Sequence, residues 1–178
     1  MGIGVPSYQD FVVKVRAKTE ARDVYRTLVV ARTEAIRRGT RVGTCPVGEV
    51  DTGSGFAPST ADRCAPTSRW NHGWISFVDS NANGVRDTGE LLIERHSFLK
   101  GRNDSLNGPE YIGFDSNGER QDVSGVVKGW NGKFRLCPQI DQPRYGKYAR
   151  AIIVNIVGRV RVKLPPPEVG DCRGWWDF

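Results

Sequence analysis

The chain has no apolar run approaching the ~18 residues that read as a membrane-crossing helix, and nothing of the secretory leader type follows Met1. That excludes a span within these residues. It leaves either a cytosolic protein or an exported one whose targeting segment lies upstream. Histidine is scarce: His72 and His96 are the only two, neither is near a cysteine, and no cysteines have C-x-x-C spacing. Those absences remove the usual zinc frameworks. There is no internal repeat and no low-complexity linker, so 178 residues suit one domain, 1–178. No motif fixes a nucleophile beside a base or an oxyanion hole, and an enzyme is not expected. The last absence is local. From Gln142 to Leu164 there are six Lys/Arg and no Asp or Glu.

What is present points to a turn-rich chain. Twenty-one glycines and ten prolines favour short strands over a helical bundle, and 38% hydrophobic residues suffice for a core. The four cysteines, Cys45, Cys64, Cys137 and Cys172, are dispersed and even in number. This suggests two disulfides and an oxidising compartment. Three pairings are possible. The sequential one, Cys45–Cys64 and Cys137–Cys172, closes the Gly/Ser/Pro-rich loop after an early strand and ties down the tail. Each bridge would stabilise the fold by ~3–4 kcal/mol through the unfolded chain.

Helical periodicity runs over 7–39. Phe11, Val12, Val15, Val24, Tyr25, Leu28, Ala31, Ala35 and Ile36 recur mostly at three- and four-residue steps, with charged residues between them. Gly39 is placed to end the helix, and Arg37 and Arg38 suit its C-terminal dipole. The region 40–164 reads as β. The expected strands are Arg41–Cys45, Trp74–Asp79, Leu91–Phe98, Tyr111–Phe114, Lys133–Cys137, Ala151–Asn155 and Arg159–Leu164. Asn-Gly pairs at 83–84, 107–108, 117–118 and 131–132 supply turns. A Pro/Trp-rich tail, 165–178, follows. The expected class is α+β: one long N-terminal helix packed on antiparallel sheet.

Six segments in order carry a resemblance: Gly4–Tyr8; Ala31–Arg38 (ARTEAIRR); Thr44–Pro46; Trp70 with Gly73–Asp79 and Asn81–Leu92; Phe134–Pro138; and Gly158–Val162 (GRVRV). Together they are similar to the GspH/FimT family of minor type IV pilins across about Gly4 to Val162. The resemblance implies a pilin-like fold and a non-enzymatic subunit, held in the inner membrane and periplasm before joining a surface pilus. Its partners would be other pilins, and the inner membrane through an N-terminal helix that precedes this sequence. In FimT-type members the glycine-arginine motif is implicated in DNA binding during natural transformation, which nominates Arg159 and Arg161. Two other roles stay open: a structural subunit that primes or caps the pilus, and a type II secretion pseudopilin. The family's processing signature is absent here, and the Pro/Trp-rich tail has no counterpart in the pattern.

Periodicity adds Lys163, since alternate strand residues share a face at ~6.5–7 Å spacing. Val160, Val162 and Leu164 are then expected to face the core. The competing reading of the cations is protection of an edge strand from aggregation. Asp79–Glu90 also fits a calcium-loop expression, with Asp79, Asn81, Asn83, Asp87 and Glu90 as ligands and Gly84 at the bend. Asn and Asp equally stabilise turns, and strands flank the segment, so a hairpin turn is preferred to calcium and no cofactor is expected. Trp70, Trp74, Trp130, Trp175 and Trp176 are read chiefly as packing residues rather than base-stacking ones.

Alkylation of the native, non-reduced protein is expected to label no cysteine, and mass spectrometry to find two bridges. Four reactive thiols would defeat the reading of an oxidising compartment.

Overall fold

The computed structural model describes residues 4–51, 56–59, 61–97, 104–123, 132–138 and 148–164. Helix α1 runs over Gly4–Arg38. Pro6 falls in its first turn, where a missing N–H costs nothing. Gly39, at φ 64°, ends it: its N–H bonds to Ile36 O and that of Thr40 to Ala35 O, both at 3.3 Å. This is a Schellman closure, which left-handed glycine permits. In the last turns Glu34 accepts hydrogen bonds from Arg37 and Arg38, which hold its carboxyl down at about 2.

Among the described residues eleven strands follow: β1 (Val42–Pro46), β2 (Glu49–Asp51), β3 (Phe56–Pro58), β4 (Trp74–Val78), β5 (Leu92–His96), β6 (Ser105–Asn107), β7 (Ile112–Phe114), β8 (Arg120–Gln121), β9 (Gly132–Cys137), β10 (Arg150–Val154) and β11 (Val160–Lys163). They form a five-stranded sheet in the order β5-β4-β1-β7-β8, a four-stranded sheet β11-β10-β9-β6, and the hairpin β2-β3. Every pairing is antiparallel. The tail 165–178 lies outside the described residues.

The buried stripe of α1 is Val13, Ala17, Ala21, Val24, Leu28, Ala31 and Ala35. It packs against β1, β4 and β7 of the first sheet and β9, β10 and β11 of the second. This corrects the expected apolar face. Phe11, Val12, Val15, Tyr25 and Ile36 are exposed, at 62%, 39%, 45%, 38% and 49%. Alanine is the reason. Its small side chain lets the helix axis come close to two sheets at once, whereas a larger residue would hold it off. Trp70, Trp74, Phe114, Phe134, Leu136 and Ile152 complete the core beneath it. Trp70 donates to Pro109 O at 2.8 Å and Trp74 to Thr27 Oγ1 at 3.1 Å, so neither indole N–H is buried unpaired.

Two cationic side chains fasten the helix to the rest. Arg16 grips the buried carboxylate of Asp104, just before β6, with two bonds of 2.7 and 2.9 Å. Arg32 donates to two turns at once: to Gly118 O in the β7–β8 turn at 2.9 Å and to Val157 O in the β10–β11 turn at 3.2 Å. The same turns touch directly, since Arg120 N–H bonds to Ile156 O at 2.8 Å. Gly158, at φ 75°, sits so near that a Cβ there would lie 1.9 Å from Gly118 O.

Cys45 of β1 is joined to Cys64, closing the segment that contains β2 and β3. Cys137 is also disulfide-bonded, and its expected partner Cys172 lies outside the described residues.

Replacing Arg32 with Ala is expected to lower stability by about 2 kcal/mol, the worth of hydrogen bonds from a charged donor. Gly158→Ala should cost more, because strained backbone alone takes about 1–3 kcal/mol before the clash is counted. Urea unfolding midpoints would check both; a Gly158→Ala protein as stable as the parent would show that the turns do not dock as described.

Candidate nucleic-acid interface

Strand β11 is an edge of the four-stranded sheet, and the sequence-nominated cations lie on or beside it. Arg159 occupies the turn leading in. Its N–H donates to Asn155 Oδ1 at 2.7 Å, and its carbonyl accepts from Asn155 N–H at 3.2 Å. Arg159, Arg161 and Lys163 are all exposed. Among the described residues none of the three enters a side-chain hydrogen bond or an ion pair. Strand alternation sets them on one side, away from α1.

The opposite side of β11 departs from expectation. Val160 is half-buried against the core, but Val162 is 44% exposed and Leu164 68%. An edge strand has a covering neighbour on one side alone. Here the flank of α1 leaves an open groove over Val162, bordered by Lys18, Arg22, Tyr25 and Arg26.

Register reveals cations that a one-dimensional reading misses. Ile153 of β10 stands opposite Arg161 on one side and Lys133 of β9 on the other. Ala151 likewise stands between Lys163 and Arg135. Residues directly opposite in an antiparallel pair share a face. Lys133 and Arg135 therefore project from the same side of the sheet as Arg161 and Lys163. Lys133 is exposed; Arg135 is half-buried, and desolvation draws its guanidinium below its ordinary value. The period-two pattern Lys133-x-Arg135 was the available signal, but its partner strand was not readable from spacing.

The calcium-loop segment forms a turn saturated by its own hydrogen bonds. Asp79, fully buried, accepts from Asn83 N–H at 3.0 Å, Gly84 N–H at 3.2 Å and the Tyr111 hydroxyl at 2.6 Å. Burial first, and then this bond to a carboxylate, pushes the Tyr111 hydroxyl well above its usual value. Glu90 accepts from Ser80 and from Asp87 N–H. Asp87 accepts from the side-chain amides of Asn81 and Asn83, which hold its carboxyl low. The donor set thus points at N–H groups rather than at a common centre, and does not fit a calcium ion. Among the described residues no three His, Cys, Asp or Glu side chains converge as a metal site would require.

The histidines take structural posts. His72 Nε2 meets Glu49 at 2.6 Å; His96 stacks on Trp74 with ring centres 4.0 Å apart and faces Asp23 at 3.5 Å. Trp70 and Trp74 are buried, so no base can stack on them. Trp130, Trp175 and Trp176 lie outside the described residues. No described helix is long and apolar enough to cross a membrane.

The profile of the family described as Type II transport protein GspH matches residues 20–158, well over half of the chain. No curated protein matches it in sequence. Among solved structures it is similar to the type IV minor pilin FimU of Pseudomonas aeruginosa, with 16% identity, TM-score 0.55, and 88% of this chain and 92% of that one covered. A second crystal form of FimU gives 15%, 0.52, 82% and 91%. The minor pseudopilin EpsH from the type 2 secretion system of Vibrio cholerae gives 15%, 0.51, 84% and 98%. At these identities the likeness shows a shared fold, the pilin-like α+β arrangement of a long helix on antiparallel sheets.

Asp79→Ala is expected to cost about 3 kcal/mol by stranding buried donors, and Tyr111→Phe about 1 kcal/mol. Calcium and chelator should leave the thermal midpoint of the parent unmoved. A saturable rise, about 2.7 kcal/mol at a hundred times Kd, would restore the cation site.

Proposed function

We propose that this chain, which belongs to the GspH family, is a minor type IV pilin: a non-enzymatic subunit that joins other pilins in a surface filament and binds DNA without sequence preference. The observation that carries the DNA reading is the exposed, uncompensated row of Arg159, in the turn, with Arg161 and Lys163 on the edge strand it leads into. Its ~6.5–7 Å repeat suits successive charges of a phosphate backbone. The clamp by Arg32 supports it further, because the turn that launches Arg159 is fixed to the helix. Phosphate contacts hold and orient a nucleic acid but carry no base information. A subunit that takes up arbitrary DNA needs that indifference.

Assembly is supported by a different surface. Tyr8, Phe11 and Val15 are 70%, 62% and 45% exposed on the N-terminal half of α1. Such an apolar stripe is costly in water unless another subunit covers it. The same stripe suits a structural pilin or a pseudopilin, so DNA affinity is the discriminating property.

Purified protein should retard duplex DNA of unrelated sequences equally at low salt and micromolar concentration. With three phosphates engaged, log affinity should fall against log salt with a slope of about −2.7. Arg159→Ala and Arg161→Ala should each flatten that slope by about one unit with the melting temperature unchanged. Absence of retardation would leave a structural subunit. Binding that persists in the double variant would place the site elsewhere.

A further inference from the structure

We infer that the DNA-binding element extends from β11 across the outer face of the four-stranded sheet to β9, and that its two parallel rows of cations select a double helix over a single strand. This rests on the DNA reading above and extends it to residues on other strands. One row is Arg161 and Lys163 on β11. The second is Lys133 and Arg135 on β9, brought into register by Ile153 and Ala151 of β10. Continuing across the sheet, Arg135 stands opposite Asn107 of β6, and Asn107 is bridged to Arg69. The Arg69 side chain is 68% exposed and forms an ion pair with Glu49 at 4.0 Å.

The spacing decides the ligand. Neighbouring strands lie ~4.8 Å apart, so rows two strands apart are separated by roughly 10 Å, while cations within a row repeat at ~6.5–7 Å. A single strand offers one line of phosphates and satisfies one row. A duplex offers two backbones, which face each other across a minor groove ~6 Å wide between their surfaces. Between the rows lie Ala151 and Ile153, half-buried and uncharged, so nothing on β10 stands up to block a cylinder laid over them. No strand residue of this face carries a carboxylate: the outward positions of β6 are Ser105 and Asn107.

Fluorescence anisotropy with a short duplex of arbitrary sequence, and with one of its strands alone, tests this on the full chain. Lys133 is exposed, and Lys133→Ala should fold as the parent does, which a melting curve verifies. The variant is expected to flatten the duplex salt slope by about 0.9, so the affinity lost between about 50 and 200 mM salt shrinks ~3.5-fold. Its slope on the single strand should not change, whereas Arg161→Ala should flatten both. If Lys133→Ala leaves the duplex slope intact while Arg161→Ala reduces it, the second row is refuted and the β11 site stands. Equal flattening on duplex and single strand refutes the selection of a double helix. A parent protein that binds neither probe overturns this inference together with the DNA reading.

Discussion

The contact of the β7–β8 turn with the β10–β11 turn, held from above by Arg32, is the point on which the two sheets depend. Among the described residues neither sheet is hydrogen-bonded to the other by strand pairing. They share the underside of α1, and at one end the turns meet through Arg120 N–H and Ile156 O. Gly158 is obligatory there, since any side chain would enter the Gly118 carbonyl. A guanidinium suits the post because its fork can reach carbonyls on two separate turns, which a lysine ammonium on a flexible stem does with less orientation. The functional consequence is local. The residue after Gly158 is Arg159, so the geometry that locks the sheets together also aims the first cation of the proposed interface.

Much of this architecture was legible in the sequence because its signals are local. The helix announced itself by period and by Gly39, and strands β1, β4, β5, β7, β9, β10 and β11 fall within about two residues of their expected bounds. Strands β2, β3, β6 and β8 went unread. Each has only two or three residues, too few for alternation to rise above chance. The buried face of α1 was misjudged for a different reason. Large apolar residues dominate the pattern, while Ala17 and Ala21, both buried, carry almost no hydrophobic signal. Phe11 and Val15, expected in the apolar stripe, are surface residues.

The candidate site divides in the same way. Arg159, Arg161 and Lys163 were visible as a strand pattern, because they are consecutive alternate positions. Lys133, Arg135 and Arg69 were not. They join the site through register alone, and register between β9, β10 and β11 is set by which apolar residues face the helix: Phe134, Ile152 and Val162 share one row, and Leu136 lies opposite Arg150. A slip of one residue would turn the cations inward. The core thus dictates the surface. Burying Phe134 and Ile152 forces Lys133 and Ile153 outward beside Arg161.

That dependence bears on the simplest competing account of the basic strand. Edge strands commonly carry lysine and arginine to discourage pairing with other chains, and β11 alone fits that description. The device has no use on an interior strand. β9 is bonded to β10 along 132–136 and to β6 along 135–137, so at Arg135 both of its backbone edges are already paired. Interior outward positions on a solvated sheet need only be polar, and a neutral or mixed-sign set would serve solubility better by avoiding self-repulsion. Lys133, Arg161 and Lys163 stand exposed on the strand positions of a single face that carries no carboxylate, which costs electrostatic energy in the isolated protein. An anionic ligand relieves that repulsion. The second row, on β9, therefore weighs for a polyanion-binding face, where the edge row alone could not decide.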